Sequence, residues 1–277
     1  MSNITHETAP TQFVQAGKLR FAYRRFGPRA GTPLLLLNYF AANMDNWDPT
    51  ITNAFASERD VILVDYQGIG RSSGDTPSTV AALTKDCVAF CRAIDMKHFD
   101  VVGFSLGGMI AQQLGAEHPD IIRRIMLLGT GPRGGEGMVF KDLNVDELDD
   151  EVGLLMNAFF TTSEPSKASG RAYIERLKSR VDDLDTPVSK QSALAELAAI
   201  REWGVIPAKD RFAMLSQIHH PTLIVHGNKD VVVMPINALL LAEHLPNAQL
   251  IMYPDASHGA QSQHAEIFLQ HVKLFLK

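Results

Sequence analysis

The chain has 277 residues, a length that can bury a large core and that fits one domain carrying an insertion. Hydrophobic residues make up 45% and charged residues 21%, and the formal net charge of −5 gives an isoelectric point of about 6.0. This mild acidity argues against a nucleic-acid partner or an anionic membrane. The first ten residues lack a secretory pattern and no apolar run reaches membrane length, so the sequence predicts a cytoplasmic protein.

The N-terminal part of the chain predicts strands of two kinds. Residues 11–17 and 18–27 alternate between apolar and polar side chains, which is typical of two antiparallel strands joined by a tight turn. Residues 33–38 and 61–65 are continuous apolar runs, which indicate strands that are buried on both faces.

Helices and strands then alternate, which implies parallel strands with helical crossovers. These predicted elements are a helix over residues 79–94, a strand over 99–104, a helix over 106–118 and a strand over 121–128. The two cysteines, Cys87 and Cys91, lie four residues apart on the first of these helices, a spacing that favours two buried thiols over a disulfide.

The alternation stops at Gly129, and residues 132–212 are helix-like and polar with no strand signal. The strand and helix pattern then resumes, with predicted elements at 222–225, 235–244, 249–253 and 265–276. We therefore predict a core made of residues 1–131 and 213–277, interrupted by a helical cap over residues 132–212. An acidic cluster in the cap is interpreted as a solvated helix face and N-terminus; it comprises Asp142, Asp146, Glu147, Asp149, Asp150 and Glu151.

The strongest chemical signal is the segment from Gly103 to Gly107, which matches the G-x-S-x-G nucleophile elbow around Ser105. An apolar strand precedes it and a helix follows it, as the motif requires. The sharp turn lifts the serine hydroxyl above the sheet, and the small glycines allow neighbouring elements to approach. The turn also aims the N–H group of Leu106 and the helix N-terminus at the place where an oxyanion would form.

A serine hydroxyl needs a base, and the order of a triad on such a sheet is serine, acid, histidine. His258 fits the base, because it lies between the last predicted strand and the last helix. Asp230 fits the acid, because it closely follows the strand at 222–225 and could hold one imidazole nitrogen protonated. Asp255 is a weaker candidate, since it is too close in sequence to reach behind the ring, and residues 129–131 offer no carboxylate.

The chain resembles the α/β-hydrolase family, and in particular its small bacterial serine esterases and cofactor-free haloperoxidase-like members. The resemblance runs from about Leu19 to the C-terminus and is carried by four stretches: Asn38–Asp48, Asp65–Ser72, Gly103–Gly108, and the pair HGNKD and SHG that contains Asp230 and His258. It implies a mostly parallel eight-stranded sheet flanked by helices, with a helical cap insertion. It also implies acyl transfer through an acyl-enzyme on Ser105.

One departure from the family pattern follows the third strand, where the usual His-Gly-x is replaced by Asn38-Tyr39-Phe40. By alignment with the family, the N–H groups of Phe40 and Leu106 would form the oxyanion hole. Tyr39 in place of glycine puts the usual backbone shape in doubt. Tyr39, Trp47 and Met109 are the candidate substrate-binding residues.

We predict hydrolysis of a small, moderately hydrophobic ester or related carbonyl compound, without a metal or organic cofactor, because neither HExxH nor CxxC occurs. The same triad could serve a C–C bond hydrolase, a lactonase or a perhydrolase, since the fold does not choose among them. The alternative to an enzyme is a ligand-binding protein that resembles a hydrolase. The expected partner is a small-molecule substrate, and a homo-oligomer is possible.

Overall fold

The computed structural model describes residues 4–138, 145 and 150–277. Within this part of the chain, eight strands form a single sheet. The strands are β1 (Gln12–Ala16), β2 (Leu19–Phe26), β3 (Leu34–Leu37), β4 (Val61–Val64), β5 (Phe99–Phe104), β6 (Ile122–Leu128), β7 (Thr222–Gly227) and β8 (Ala248–Tyr253). Their spatial order is β1-β2-β4-β3-β5-β6-β7-β8.

The sheet is mostly parallel, as the sequence predicts. Only the pairs β1–β2 and β2–β4 are antiparallel, and every later pair is parallel. The central strands are apolar throughout because both of their faces are covered. Leu35 and Leu37 of β3 pack in one core cluster, and Leu34 and Leu36 pack in the other.

Helices cover both faces of this sheet. They are α1 (Pro49–Ala56), α2 (Val80–Ala93), α3 (Leu106–Glu117), α4 (Glu151–Phe159), α5 (Glu164–Leu177), α6 (Lys190–Gly204), α7 (Ile236–His244), α8 (Ala260–Gln263) and α9 (Ala265–Phe275). Helices α2, α3 and α7 contribute to the cluster that holds Leu35, and α1 and α9 contribute to the cluster that holds Leu34. Cys87 and Cys91 of α2 are free and buried, in agreement with the sequence prediction.

Among the described residues, the α-helices α4, α5 and α6 lie between β6 and β7, where the sequence predicts a helical insertion. Helices α5 and α6 each begin at a serine, Ser163 and Ser189, whose side chain accepts a hydrogen bond from a backbone N–H of the first turn. Asp150 caps α4 in the same way. Of the acidic cluster, only Asp150 and Glu151 lie within the described residues, and both stand at this helix N-terminus, where negative charge is stabilised.

Buried polar contacts attach these helices to the rest of the molecule. Arg176 of α5 donates to both carboxylate oxygens of Asp48, at 2.9 and 2.6 Å. Arg24 of β2 donates to Asp185, in the segment between α5 and α6, at 2.9 Å, and both side chains are inaccessible to solvent. Since an unpaired buried charge is costly, these pairs fix the insertion against the sheet.

Within the described part of the chain, no helix combines the length and the apolar character needed to cross a bilayer.

Candidate active site

Ser105 occupies the turn between β5 and α3 in a strained backbone conformation, with φ of +52° and ψ of −111°. Such a conformation costs a residue other than glycine free energy and persists only where the surroundings enforce it. Here the Ser105 N–H donates to the Leu128 carbonyl at 2.9 Å, and the Thr130 hydroxyl donates to the Ser105 carbonyl at 2.8 Å. The structure therefore has the strand, the sharp turn at Ser105 and the following helix that the motif requires.

Close backbone packing explains the glycines on either side of Ser105. A Cβ atom on Gly103 would lie 2.2 Å from the Gly107 carbonyl oxygen, and one on Gly107 would lie 2.1 Å from the Leu37 carbonyl oxygen. Neither position can hold a side chain unless α3 moves away from β3 and β5. The glycine spacing of the motif thus reflects the approach of the helix to the two strands.

We expect Gly107→Ala to lower the free energy of unfolding by about 3 kcal/mol, because the new methyl group overlaps backbone atoms that cannot rotate away. Gly17→Ala is the matched control, since nothing lies within 4 Å of its Cβ position and only its φ of +62° opposes alanine. That control should cost about 1 kcal/mol. Urea unfolding followed by circular dichroism measures both values, and equal losses would contradict the packing explanation.

Asp230 and His258, the predicted acid and base, form a hydrogen-bonded pair. Asp230 follows β7, His258 lies between β8 and α8, and His258 Nδ1 is 2.8 Å from Asp230 Oδ2. Both residues are buried. Burial alone would raise the pKa of Asp230, but the charge of His258 and hydrogen bonds from two histidines outweigh it and hold that pKa below its usual range. The carboxylate is therefore ionised at neutral pH and can orient the imidazole.

A second imidazole shares the same carboxylate oxygen. His226 Nε2 lies 3.1 Å from Asp230 Oδ2 and 2.8 Å from the Val233 carbonyl oxygen. Both neighbours are acceptors, so Nε2 must carry the proton of this ring. The structure therefore gives His226, which lies near the end of β7 and before Asp230 in sequence, a role in holding that carboxylate.

The backbone fixes the other oxygen of Asp230. Oδ1 accepts hydrogen bonds from the N–H groups of Val232 and Val233, at 2.8 and 2.9 Å. One carboxylate oxygen is thus assigned to the backbone and the other to the two histidines.

The C-terminal end of α4 positions the histidine loop, which comprises residues 254–259 between β8 and α8. Ala158 accepts hydrogen bonds from the His258 N–H at 3.2 Å and from the Ser257 hydroxyl at 2.7 Å, and Phe159 accepts one from the Gly259 N–H at 3.0 Å. These are carbonyls that a helix end leaves without an intrahelical partner. The helix end and the histidine loop therefore satisfy each other.

Ser105 and His258 each lie against the carboxyl end of β6 or the residue that follows it. Ser105 is bonded to Leu128, and a Cβ atom on the next residue, Gly129, would lie 3.2 Å from Nδ1 and Cε1 of the His258 ring. Phe104 and Phe159 cover the imidazole, with ring centroids 5.1 and 5.7 Å from its own. This aromatic cover keeps water from the imidazole, and the electrostatic interaction between His258 and Asp230 is stronger as a result.

The loop after β3 presents one unpaired N–H group between two paired ones. The Tyr39 N–H donates to Asn38 Oδ1 at 3.0 Å, and the Ala41 N–H donates to Glu196 Oε2 at 2.8 Å. Within the described residues, the N–H groups of Phe40 and Leu106 donate to no protein group. These are the two donors that the family resemblance assigns to an oxyanion hole.

A cavity of about 380 Å³ separates this loop from the helices of the insertion. Apolar side chains, among them Tyr39, Phe40 and Leu155, line part of it, and the charged side chains of Asp45, Glu151, Lys178 and Asp185 line it as well. Ser105 and His258 are not among its lining residues. Of the three predicted substrate-binding residues, only Tyr39 lines it. Trp47 and Met109 are packed in the two core clusters, 3% and 1% exposed, and their predicted contact with substrate stays a prediction.

Residues 32–265 match the model of the α/β hydrolase fold family, and the chain belongs to that family. A solved α/β hydrolase fold protein from Chitinophaga pinensis is similar to it, with 37% identity, a TM-score of 0.91 and 99% of each chain covered. A 2-hydroxymuconate semialdehyde hydrolase of Pseudomonas putida is 28% identical, covering 82% of this chain and 81% of the relative. A pimeloyl-[acyl-carrier protein] methyl ester esterase of Chromobacterium violaceum is also 28% identical, covering 76% and 81% respectively.

The predicted family and fold are thus confirmed, and the chain is a member of a family of hydrolases. Residues 4–138 and 150–277 contain no cluster of three or more side chains suited to hold a metal ion.

Proposed function

We propose that the protein is a serine hydrolase that cleaves small, moderately hydrophobic esters through an acyl-enzyme on Ser105. The observation that carries this proposal is the 2.8 Å contact of His258 Nδ1 with Asp230, beside a serine held at φ of +52° on an elbow. A chance G-x-S-x-G would have no reason to combine a strained serine with a buried histidine–carboxylate pair.

In the proposed reaction, Ser105 Oγ attacks the ester carbonyl while His258 Nε2 takes its proton, because Nδ1 is already engaged by Asp230. The negative charge on the former carbonyl oxygen is held by the N–H groups of Phe40 and Leu106. His258 then protonates the leaving alcohol as the carbonyl re-forms. Water, activated by the same imidazole, attacks the acyl-enzyme and releases the acid.

We further propose that residues 132–212 act as a cap that selects the substrate. The cavity between the Phe40 loop and helices α4 and α5 supports this division, since core residues form one wall and insertion residues form the other. Apolar side chains on both walls of this cavity, such as Phe40 and Leu155, favour a small hydrophobic acyl or alcohol group, and the volume of about 380 Å³ limits the size of that group.

The test is hydrolysis of p-nitrophenyl esters from acetate to decanoate. We expect turnover that rises with chain length and then falls once the chain exceeds the cavity, with an optimum at short to medium esters. Mass spectrometry after reaction with a fluorophosphonate should place a single adduct on the peptide that contains Ser105. A folded protein that neither hydrolyses the esters nor is labelled would contradict the proposal.

Hydrolysis of a C–C bond is the second candidate, favoured by the similarity to the 2-hydroxymuconate semialdehyde hydrolase. The test is to compare kcat/KM for 2-hydroxymuconate semialdehyde with that for the best ester. A higher value for the semialdehyde would select C–C hydrolysis. Absence of turnover, together with efficient turnover of esters, would exclude it.

A further inference from the structure

Glu196 is a buried carboxyl group that the proposed reaction does not use. It lies on α6, is inaccessible to solvent, and accepts the Ala41 N–H at 2.8 Å. Its other oxygen, Oε1, is buried and has no hydrogen-bond partner among the described residues. A buried acid with one partner costs free energy, so its position beside the loop after β3 requires an explanation.

The contact spans 155 positions of sequence and joins the insertion to the candidate oxyanion loop. That loop is strained, because Ala41 has φ of +55° without being glycine. Asn38 ties down one side of the loop by accepting the Tyr39 N–H, and Glu196 ties down the other through Ala41. Only the Phe40 N–H, between these two anchors, is left for a ligand.

We propose that Glu196 is a positioning residue that holds the Tyr39–Ala41 loop in the shape that presents the Phe40 N–H to the substrate oxyanion. This inference rests on the proposed function. The strain in this loop lies at Ala41 and not at Tyr39, which is not among the residues with positive φ. Because Glu196 lies on α6, the proposed role makes the oxyanion hole depend on where the insertion sits.

The protonation state of Glu196 suggests the conservative variant. Burial raises the pKa of this carboxyl to about 8, so near pH 7 most of it is neutral. Glutamine is then a close mimic, since its amide oxygen can accept the Ala41 N–H with the same reach. Alanine removes the acceptor altogether.

We expect Glu196→Ala to lower kcat for the best ester by about 10- to 100-fold, less than the loss of a whole oxyanion donor, with KM changed by less than about threefold. Glu196→Gln should retain most of kcat. Glu202→Ala is the matched control on the same helix, because Glu202 is partly exposed and pairs with Arg133. Its kcat should equal that of wild type, and circular dichroism should show every variant folded.

The hydrogen-exchange rate of the Ala41 amide measures whether Glu196 restrains the loop, and this measurement does not depend on activity. Protection should be present in wild type, Glu196→Gln and Glu202→Ala, and lost in Glu196→Ala. Lost protection with unchanged kcat would overturn the positioning role, as would a glutamine variant as impaired as the alanine variant. If wild type hydrolyses no ester, the proposed function fails and the positioning role falls with it, although exchange still decides whether the restraint exists.

The titration of Glu196 provides a second measurement that is independent of activity. The pKa of Glu196 in the folded protein lies above the ordinary value of 4.5. Glu196 therefore makes its full contribution to stability below pH 4.5, and this contribution is lost as the pH rises through about 8. Burial, and after it the charge of Glu196, raises the pKa of Tyr66, which also interacts electrostatically with Cys87 and Asp65. Tyr66, Cys87 and Asp65 are present in both wild type and the Glu196→Gln variant. The Tm of wild type should therefore fall relative to that of the variant between about pH 5 and about pH 9, because only wild type carries the Glu196 carboxyl. A constant difference would contradict the buried, neutral carboxyl.

Discussion

Replacing Ser105 with alanine is expected to lower kcat/KM for the best p-nitrophenyl ester by about 10⁴- to 10⁶-fold. The remaining groups can still bind substrate and polarise its carbonyl, but no acyl-enzyme can form. The fluorophosphonate adduct should disappear as well. Ser216→Ala is the control, because Ser216 is exposed and far from the elbow in sequence, and it should be labelled and active like wild type.

The same substitution should leave stability within about 0.5 kcal/mol of wild type, because the elbow is held by backbone groups of Ser105 that alanine retains. Ser105→Gly should instead stabilise the protein by about 1 kcal/mol, since glycine adopts a φ of +52° without strain. If both variants are inactive and Ser105→Gly is more stable than Ser105→Ala, the difference in stability identifies the backbone strain at the elbow. An alanine variant that kept more than about a hundredth of the activity would exclude Ser105 as the nucleophile.

Asp230→Asn is expected to lower kcat/KM by about 10⁴-fold while the protein remains folded. The two backbone N–H groups of Val232 and Val233 require an acceptor, so the amide oxygen should take the place of Oδ1. The amide NH₂ then takes the place of Oδ2, so His258 Nδ1 must accept rather than donate, and the His226 Nε2–H keeps only the Val233 carbonyl as its acceptor. The proton moves to Nε2, and the imidazole can no longer receive the proton of Ser105.

Nitrogen chemical shifts of the His258 ring measure this exchange of tautomers directly, and they separate it from a general loss of structure. The control is Asp255→Asn. Asp255 also lies near His258 in sequence, but its carboxylate accepts hydrogen bonds from Thr161 and Ser163 at the surface. That variant should keep nearly full activity. Comparable losses in both variants would contradict the assignment of Asp230 as the acid.

Much of the site could be predicted because its signals are local or follow chain order. The elbow needs only a strand, a tight turn and a helix. Within residues 99–118, an apolar run predicts the strand, the glycine pattern predicts the turn, and helical spacing of apolar residues predicts the helix. Asp230 and His258 follow successive strands, so the parallel sheet brings them to the same edge. The strand bounds differ from those predicted by only one or two residues, because strand ends depend on turn geometry.

The remaining features depend on contacts between distant segments. Nothing in the sequence indicates that Glu196 meets Ala41, since an acid in a helical segment is most often a solvated residue. His226 was visible only as a histidine near the end of a strand, and its shared hydrogen bond with Asp230 follows from the shape of the loop after β7. Helices α4, α5 and α6 were predictable as helices, but their docking on the sheet was not, because amphipathic faces can pack in several orientations.

The hydrogen bonds from the histidine loop to the end of α4 limit how new specificities can arise in this protein. The donors at Ser257, His258 and Gly259 bind backbone carbonyls, so the side chains at residues 158 and 159 do not supply the acceptors. An insertion exchanged for that of a relative must therefore end a helix where α4 ends, so that two backbone carbonyls again face these donors. We expect substitutions that alter the substrate to be better tolerated on the parts of α5 and α6 that do not contact the core than at Arg176 and Glu196, whose side chains do.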